Sequence, residues 1–401
     1  MKQREENIVA FDINTNSIKA LLGSLDGTAT DENLFFEVQG ITKKLTGISK
    51  KGVVYKKEAL NKSVKTAYDA LCSFTGYDVR KVCLLYAYPG IRFFAKTVGS
   101  NRIRELGEIH ITEEWLDRKK RSLQQKIAKE FPQEECTYFE IISIVADGDE
   151  VVHDPYEYTV VRSLSITYNY ILTPKIFIEH IQESVEKVAE VSVIRPTAVS
   201  NIFFLTETQK DRGAIVLDIS ASFTTITVCQ DGIITGIHAA GFGTNDIVNE
   251  ITLHKKVSIE EAESIMRGIG DDEAPLKKKE KQSVDKKIAA RVKTEILSYI
   301  RRLDPKKNFP GGIILLGDGA QYPDIENIIK RVTGLYTKRA TVSHHIQSQQ
   351  HTSPNAWESA YGFLCVFAAQ EMEGVTHPRQ KEVSLWNRIN GWIDGLSKMV
   401  R

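Results

Sequence analysis

The sequence predicts an α/β fold made of two halves, each containing a β-strand that ends in an aspartate. Near the N-terminus, an apolar strand ends at Asp12, turns through small polar residues and resumes as a second apolar strand. The same order recurs around Asp218, and its second strand leads into an Asp231-Gly232 turn, which is a strong hairpin signal. A third segment, 311–323, reads as a buried strand, a glycine turn and a helix. This repetition indicates a duplicated fold with a cleft between the halves.

Composition limits the classes of protein to consider. A chain of 401 residues is long enough for two or more domains with sizeable cores. Its 53 basic and 52 acidic residues nearly balance, so we expect no nucleic-acid binding. The five scattered cysteines form no CxxC pair, which fits a reducing cytosol without disulfides or zinc. We also expect neither a signal peptide nor a membrane-spanning helix, since the required apolar segments are absent from the sequence.

The first half is predicted from hydrophobic periodicity. Alternating apolar residues predict strands at 8–13, 18–24 and 34–40, followed by an amphipathic helix at 57–75 and a strand at 82–86.

The segment 86–162 departs from this duplicated pattern. Thr112 is a good N-cap for a helix that continues to about Lys129, and strands follow at 137–146 and 157–171. The segment therefore predicts an inserted α/β module.

Further helices are predicted along the chain. A helix at 174–190 closes the first half. In the second half, the expected helices are 197–209, one that starts near Asn245, 258–270 with Ser258 as N-cap, 284–303 and 353–369. Loops are expected at 271–283, 340–353 and 371–383, which are charged or polar.

The two aspartates are the first candidates for a functional site. An acid at the end of a buried strand, followed by a turn of small residues, can hold a phosphate through the turn's N–H groups and Mg²⁺ through water. We therefore predict that Asp12 and Asp218 hold Mg²⁺ through water. One such hairpin alone is more often a simple turn capped by its acid, but two copies and the third glycine turn favour a site. Nearby candidates for phosphate binding are Thr15, Asn16, Lys19 and Ser220.

The order of the three motifs resembles the actin-like ATPase superfamily, which has a ribonuclease H-like fold. Within it, the chain is most similar to the bacterial cell-division family FtsA, over nearly its whole length. The pilus-assembly family PilM is the second candidate, and its first motif fits Asp12 to Lys19 slightly better, apart from a glycine. The resemblance implies that the cofactors are ATP and Mg²⁺. It assigns to the nucleotide five further residues, namely Gly241, Gly243, Glu263, Gly317 and Gly319.

The resemblance also implies a division into subdomains. These are subdomain 1A at 1–85 and 163–193, an inserted subdomain 1C at 86–162, subdomain 2A at 194–240 and 311–370, subdomain 2B at 241–310, a linker at 371–383 and a C-terminal helix at 384–401.

Several residues depart from the family pattern. Glycines of the relatives are replaced by Asn14, Ser220, Ala221, Ser222 and Asp318, whereas glycine permits close approach of the backbone to phosphate. Other departures are Phe223 for a small hydroxyl residue, Thr225 for a second acid, Met266 for a lysine and Arg195 for the glutamate that can position the attacking water. The resemblance therefore implies a nucleotide cleft, while the residues give weak grounds for hydrolysis. A pseudo-ATPase is expected, and whether the protein is an enzyme stays open.

The C-terminal segment 384–401 is predicted to be an amphipathic helix. Its apolar face comprises Leu385, Trp386, Ile389, Trp392, Ile393, Leu396, Met399 and Val400. Its basic residues favour anionic lipid, and tryptophan suits the headgroup boundary. A helix docked on the protein's own body is the alternative. The polar linker and the likeness to the membrane-targeting helix of FtsA favour the membrane, and PilM lacks such a tail.

The FtsA resemblance implies a role in cell division. The protein would be a peripheral protein of the cytoplasmic face of the membrane that tethers FtsZ filaments there and supports divisome assembly at the septum. The implied partners are the FtsZ C-terminal tail, anionic lipid and further copies of the chain in a protofilament. Candidate contacts for the FtsZ tail on the basic helix are Lys281, Lys286, Arg291 and Lys293. Alternatives are a PilM-like cytoplasmic scaffold of a pilus machine and a working ATPase whose turnover drives assembly.

Overall fold

The computed structural model describes residues 6–14, 16–25, 36–44, 49–50, 53–54, 56–99, 111–146, 149–151, 163–268, 278–306, 308–341, 346–348 and 357–366. The strands are β1 Glu6–Ile13, β2 Ser17–Leu25, β3 Phe36–Lys44, β4 Ser49–Lys50, β5 Val53–Val54, β6 Lys81–Tyr86, β7 Arg92–Gly99, β8 Glu134–Ala146, β9 Asp149–Val151, β10 Leu164–Pro174, β11 Glu190–Pro196, β12 Ala214–Ile219, β13 Thr224–Gln230, β14 Ile233–Ala240, β15 Ile313–Leu316, β16 Thr337–Arg339 and β17 Ile346–Ser348.

The helices alternate with these strands. They are α1 Lys57–Thr75, α2 Glu113–Glu130, α3 Lys175–Glu186, α4 Thr197–Ser200, α5 Glu207–Arg212, α6 Thr244–Lys255, α7 Ile259–Arg267, α8 Lys278–Arg291, α9 Ser298–Leu303, α10 Ile325–Thr333 and α11 at 358–366. Short 3₁₀ turns occupy Asn201–Phe204 and Asp318–Gln321, and a π-helical turn at Val292–Leu297 joins α8 to α9. Within the described residues, no helix is long and apolar enough to cross a bilayer.

The first sheet contains the N-terminal hairpin. Its strand order is β11-β6-β1-β2-β3-β17, with β1 antiparallel to β2 and parallel to β6. Helices α1 and α3 pack on one face, and Trp357 with α11 covers the other. Helix α1 has the predicted bounds, because Leu60, Val64, Ala67 and Leu71 recur at helical spacing and are all buried. This sheet holds the end of β1 in a fixed position.

The second sheet repeats that arrangement around the central hairpin. Its order is β14-β13-β12-β15-β16, with β12 antiparallel to β13 and parallel to β15. Helices α6 to α10 contribute to a large apolar core on one of its faces. The duplicated fold expected from the sequence is therefore confirmed.

A further four-stranded sheet lies between β6 and α3 in the chain. Its order is β7-β10-β8-β9, and helix α2 packs on it. The predicted N-cap is confirmed, since the Thr112 side chain accepts a hydrogen bond from the Trp115 backbone N–H at 3.2 Å.

Some predicted boundaries are wrong. The helix predicted at 174–190 ends at Glu186, and Glu190–Pro196 is strand β11, rich in β-branched residues. The helix predicted at 197–209 is broken, because Thr206 forms a capping box with Gln209 and starts a new helix. The helix predicted at 258–270 ends at Arg267, before left-handed Gly268.

Two of the predicted loops also contain regular structure. The basic helix begins at Lys278, within the predicted loop, because lysine is a good helix former and Val284 and Ile288 bury one face of α8. Strand β17 lies within the predicted loop 340–353 and pairs with β3. Because these segments are charged or polar, hydrophobic periodicity does not predict the short strand or the start of α8.

Candidate functional site

The two hairpin turns, the glycine turn after β15 and the start of α11 face one another across a cleft. The cleft is lined by Asp12, Asn14, Asn16, Ser17, Lys19, Asp218, Ser220, Ala221, Gly317, Asp318, Glu358 and Ser359. These residues come together because β1 and β12 each end at the centre of their sheet, where a parallel neighbour runs alongside. Of the residues predicted from the sequence, Asp12, Asn16, Lys19, Asp218, Ser220 and Gly317 line this cleft.

Asp12 is a buried carboxylate whose oxygens are unequally satisfied. The side chain is only 1% exposed. Its Oδ2 accepts a hydrogen bond from the Asn14 amide at 2.9 Å, whereas its buried Oδ1 has no partner among the described residues. Burial raises the pKa of Asp12 to about 7, and the Asp218 carboxylate also raises it, while Lys19 and Asn14 oppose this. Asp12 can therefore take a proton, a water molecule or a cation at neutral pH.

Asp218 differs because the protein satisfies both of its oxygens. Oδ2 accepts from the Asn201 amide at 3.3 Å and from the Ser359 hydroxyl at 3.4 Å. Oδ1 accepts from the Ser220 hydroxyl at 3.3 Å. Burial raises the pKa of Asp218, while Lys19 and the hydrogen bonds from Asn201 and Ser220 oppose the shift.

Glu358 is a third buried acid in the cleft, and sequence reasoning missed it. Its side chain is 2% exposed, and its Oε2 accepts a hydrogen bond from the Gly317 backbone N–H at 2.7 Å. Oε1 has no partner among the described residues. Burial raises the pKa of Glu358 well above its usual range. No motif marks Glu358, and only the packing of α11 brings it to the cleft.

Lys19 is paired within the protein. Its Nζ lies 3.9 Å from Oδ1 of Asp318, which stands in the glycine turn of the other half. Burial by itself lowers the pKa of Lys19, but Asp318 and the other cleft carboxylates outweigh it, so the pKa is raised and the ammonium stays charged. Four acids therefore surround a single ammonium among the residues that line the cleft.

The cavity between these groups has a volume of about 10 Å³, which is room for about one water molecule. Within the described part of the chain, no three His, Cys, Asp or Glu side chains are placed to hold a metal ion directly. Asp12 Oδ1 and Glu358 Oε1, which have no partner among the described residues, can nevertheless accept a hydrogen bond from a water molecule, including one that belongs to a cation bound beside the cavity. The residues present are thus compatible with Mg²⁺ held through water.

Gly317 and Gly243 are needed for backbone packing around the cleft. Gly317 has φ 80°, and a Cβ there would lie 2.5 Å from Asp218 Oδ1. A Cβ at Gly243 would lie 2.5 Å from the Ala221 carbonyl oxygen. Gly319 packs against Ile219 below the turn. Gly243 and Gly319 support the site without lining the cavity.

The remaining predicted nucleotide residues lie elsewhere or outside the described part. Glu263 is on α7, where it lies 4.0 Å from the Arg267 guanidinium, and it does not line the cavity. The Gly241 carbonyl accepts a hydrogen bond from Arg291. Thr15 lies outside the described residues.

The predicted basic docking face contains two different kinds of residue. Lys281 bonds to Asp285 within α8 at 2.9 Å and to Asp324, the N-cap residue of α10, at 2.8 Å, so it anchors α8 to α10. Arg291 likewise lies 3.4 Å from Glu295 and 3.7 Å from Asp246. Lys286 and Lys293, in contrast, are exposed.

Three of the residues that depart from the family pattern are buried or hydrogen-bonded within the protein. Phe223 is 2% exposed, and Met266 belongs to the core of the second half. Arg195 does not face the cleft, and its Nη1 donates to the carbonyls of Thr137 at 3.0 Å and Ile194 at 3.2 Å. The predicted membrane residues, Leu385 to Met399, lie outside the described residues.

The sequence is similar to curated cell-division proteins. It is 22% identical over 362 residues to FtsA of Streptococcus pneumoniae, covering 84% of this chain and 75% of that protein. It is 25% identical over 352 residues to FtsA of Bacillus subtilis, covering 82% and 77%. The chain resembles FtsA. No protein-family model matches it.

Comparison with solved structures identifies the fold. A chain of the PilM–PilN type IV pilus biogenesis complex aligns with a TM-score of 0.61 at 12% identity, covering 90% of this chain and 98% of that one. MreB5 of Spiroplasma citri, solved with ADP bound, aligns with a TM-score of 0.52 at 12% identity, covering 93% and 99%. The fold is therefore that of the actin-like ATPases, with two duplicated halves and an additional sheet.

Proposed function

We propose that this protein is an FtsA-like actin homologue of bacterial cell division that tethers FtsZ filaments to the cytoplasmic face of the membrane. The observation that carries the proposal is the similarity to FtsA over more than four fifths of this chain. The actin-like fold supports it, because such folds can present a cleft and flat surfaces to further copies in a filament. The protein would self-associate, and anionic lipid and the FtsZ tail would be its other partners.

The membrane contact is assigned to 384–401. On lipid, each large apolar side chain of its amphipathic face gains roughly 1.5–3 kcal/mol if fully buried, and less at an interface. A free helix of this length is marginal in water, and Gly391 and Gly395 each cost about 1 kcal/mol relative to alanine. One such helix would attach reversibly, so firm tethering would need many copies in a filament.

We assign the cleft to an adenine nucleotide with Mg²⁺. Asp12 and Asp218 would hold the metal ion through water, and Lys19 would face the phosphates. When bound, Mg²⁺ would neutralise phosphate charge beside these carboxylates. The partnerless Asp12 oxygen and the ADP bound to the structurally similar MreB5 support this assignment. Because Asp318 pairs with Lys19, nucleotide has to compete with a carboxylate of the protein itself, so binding should be weak.

Sedimentation with anionic vesicles tests the membrane assignment. Deleting 384–401 or introducing Trp392→Glu should release the protein into the supernatant, while circular dichroism shows that the body stays folded. A matched change on the polar face, Asn390→Gln, should leave sedimentation unchanged. If the truncated protein sediments as well as the full chain does, this tail is not the anchor.

Binding to an FtsZ tail peptide tests the partner. The exposed Lys286 and Lys293 are suitable positions, because reversing their charge leaves the internal ion pairs of α8 intact. The double change to glutamate should weaken binding of the peptide at least tenfold, with Lys338→Glu at the exposed middle residue of β16 as the control. Unchanged affinity would remove α8 from the interface.

A PilM-like scaffold of a pilus machine is the second candidate function. It is favoured by the TM-score of 0.61 to the PilM–PilN complex chain, 98% of which is covered. Binding of the FtsZ tail together with vesicle binding through 384–401 would favour the division role over this alternative.

A further inference from the structure

A second cavity of about 260 Å³ lies between strand β8 of the additional sheet and helix α3 of the first half. It is lined by Glu135, Cys136, Thr137, Lys175, Ile178, Glu179, Gln182, Ile194 and Arg195. It shares no lining residue with the cleft between the halves. The cavity is slightly smaller than a typical pocket for a drug-sized ligand, so it would suit a smaller molecule.

Arg195 is a half-buried cation that has no ion-pair partner among the described residues. Among the described residues, no carboxylate forms an ion pair with it, and its Nη1 is satisfied by two backbone carbonyls. Burial lowers the pKa of Arg195, and the groups that oppose the shift are tyrosines and cysteines, Tyr138 foremost, with no acid among them. Removing a guanidinium from water without a neighbouring anion costs free energy, so an anionic ligand beside Arg195 would stabilise this position.

The edge of the guanidinium formed by Nε and Nη2 is accessible to a ligand. Its Nε and Nη2 have no acceptor among the described residues, and neither is among the fully buried atoms that lack a partner. A guanidinium edge with two parallel N–H groups matches the two oxygens of a carboxylate. The buried Ile178 and the half-buried Ile194 supply apolar surface beside it.

The rim of the cavity limits the charge of its ligand. Glu135 and Glu179 are exposed at the rim, and Lys175 is half-buried there. Two carboxylates against one ammonium would repel a dianion such as phosphate and tolerate a monoanion. We propose that this cavity binds a small monocarboxylate, with its carboxylate on Arg195 and its apolar body against Ile178 and Ile194.

Calorimetric titration of the full chain with butyrate tests this proposal, and inorganic phosphate is titrated separately. The wild-type chain should bind butyrate and should bind phosphate at least tenfold more weakly. Arg195→Gln should weaken butyrate at least tenfold, whereas the matched control Arg80→Gln, an exposed arginine, should not change it. No butyrate binding by the wild type, or equal binding by Arg195→Gln, would overturn the proposal.

A second variant keeps the test decisive if Arg195→Gln does not fold. Glu179 is exposed, so Glu179→Lys should fold normally. It should strengthen butyrate binding severalfold and bring phosphate to comparable affinity, because the rim no longer repels a dianion. Butyrate and phosphate affinities that stay unchanged in Glu179→Lys would place any binding elsewhere and contradict the assignment.

Discussion

The two hairpins of the cleft share one backbone design and differ in chemistry. In the first, Asp12 pairs with Lys19 across the strands, and in the second, Asp218 pairs with Thr225. Each turn is closed by an equivalent backbone hydrogen bond, from Asn14 N to Ser17 O at 2.9 Å and from Ser220 N to Phe223 O at 3.1 Å. Strand register therefore fixes the turn geometry in both halves, and the side chains are free to diverge on it.

The two turns differ in how their acids are hydrogen-bonded and in how tightly the turns are packed. Asp12 has one oxygen without a partner among the described residues. It lies across the strand pair from Lys19, which carries the only ammonium among the residues that line the cleft. Asp218 is hydrogen-bonded at both oxygens, and Phe223 fills the end of its turn. A duplicated motif can therefore keep its backbone while the acids of its two copies are hydrogen-bonded differently.

The largest expected effect is on the free energy of unfolding, and it comes from the residue at the end of the second turn. Phe223→Ala should lower the free energy of unfolding by about 3–5 kcal/mol, because it removes a buried ring. The equivalent change in the first hairpin, Ser17→Ala, is the matched control and should cost much less, because it removes a single side-chain oxygen. Urea unfolding of both variants measures the difference. A loss below about 1 kcal/mol for Phe223→Ala would show that the second turn is not held by packing.

The next effect is a pH dependence that distinguishes the two aspartates. Because folding raises the pKa of Asp12 from 3.8 to about 7, the folded state binds the extra proton between these values. Its contribution favours the folded state most below about pH 4 and is lost as pH rises through 7.

Asp12→Asn should therefore raise the free energy of unfolding at pH 7.5 by on the order of a few kcal/mol and change it little at pH 4. Asp218→Asn should stabilise the protein less than Asp12→Asn does at pH 7.5. Burial also raises the pKa of Asp218, but the amide nitrogen would replace an oxygen that accepts hydrogen bonds from Asn201 and Ser359 or from Ser220. Thermal unfolding at both pH values measures this. Equal behaviour of the two variants would contradict the division of roles between the hairpins.

The smallest expected effect is on ligand affinity. Asp318→Asn frees Lys19 from its partner and removes a negative charge from the cleft. The affinity for MgATP should rise about tenfold, or about 1.4 kcal/mol. Asp324→Asn, which removes a carboxylate bonded to Lys281 outside the cleft lining, is the control. Calorimetry would contradict the competition between Asp318 and phosphate if both variants bind like the wild type.

The parts predicted from the sequence are those that local patterns determine. Helix α1 and the two hairpins follow from periodicity and turn residues, and both aspartates were found because they end buried strands. Glu358 and Asn201 could not be found, because only tertiary packing brings them to the cleft. Lys281 could not be recognised as an internal anchor, since its partner Asp324 is distant in sequence.

We propose that this cleft keeps the duplicated backbone of the actin-like ATPase fold without being organised for fast ATP hydrolysis. Arg195 stands where the resemblance places a water-positioning acid, and it faces another cavity. Steady-state phosphate release from MgATP measures this. We predict release well below about 1 per second, unchanged by Asp218→Ala. Release at or above about 1 per second that Asp218→Ala abolishes would contradict it.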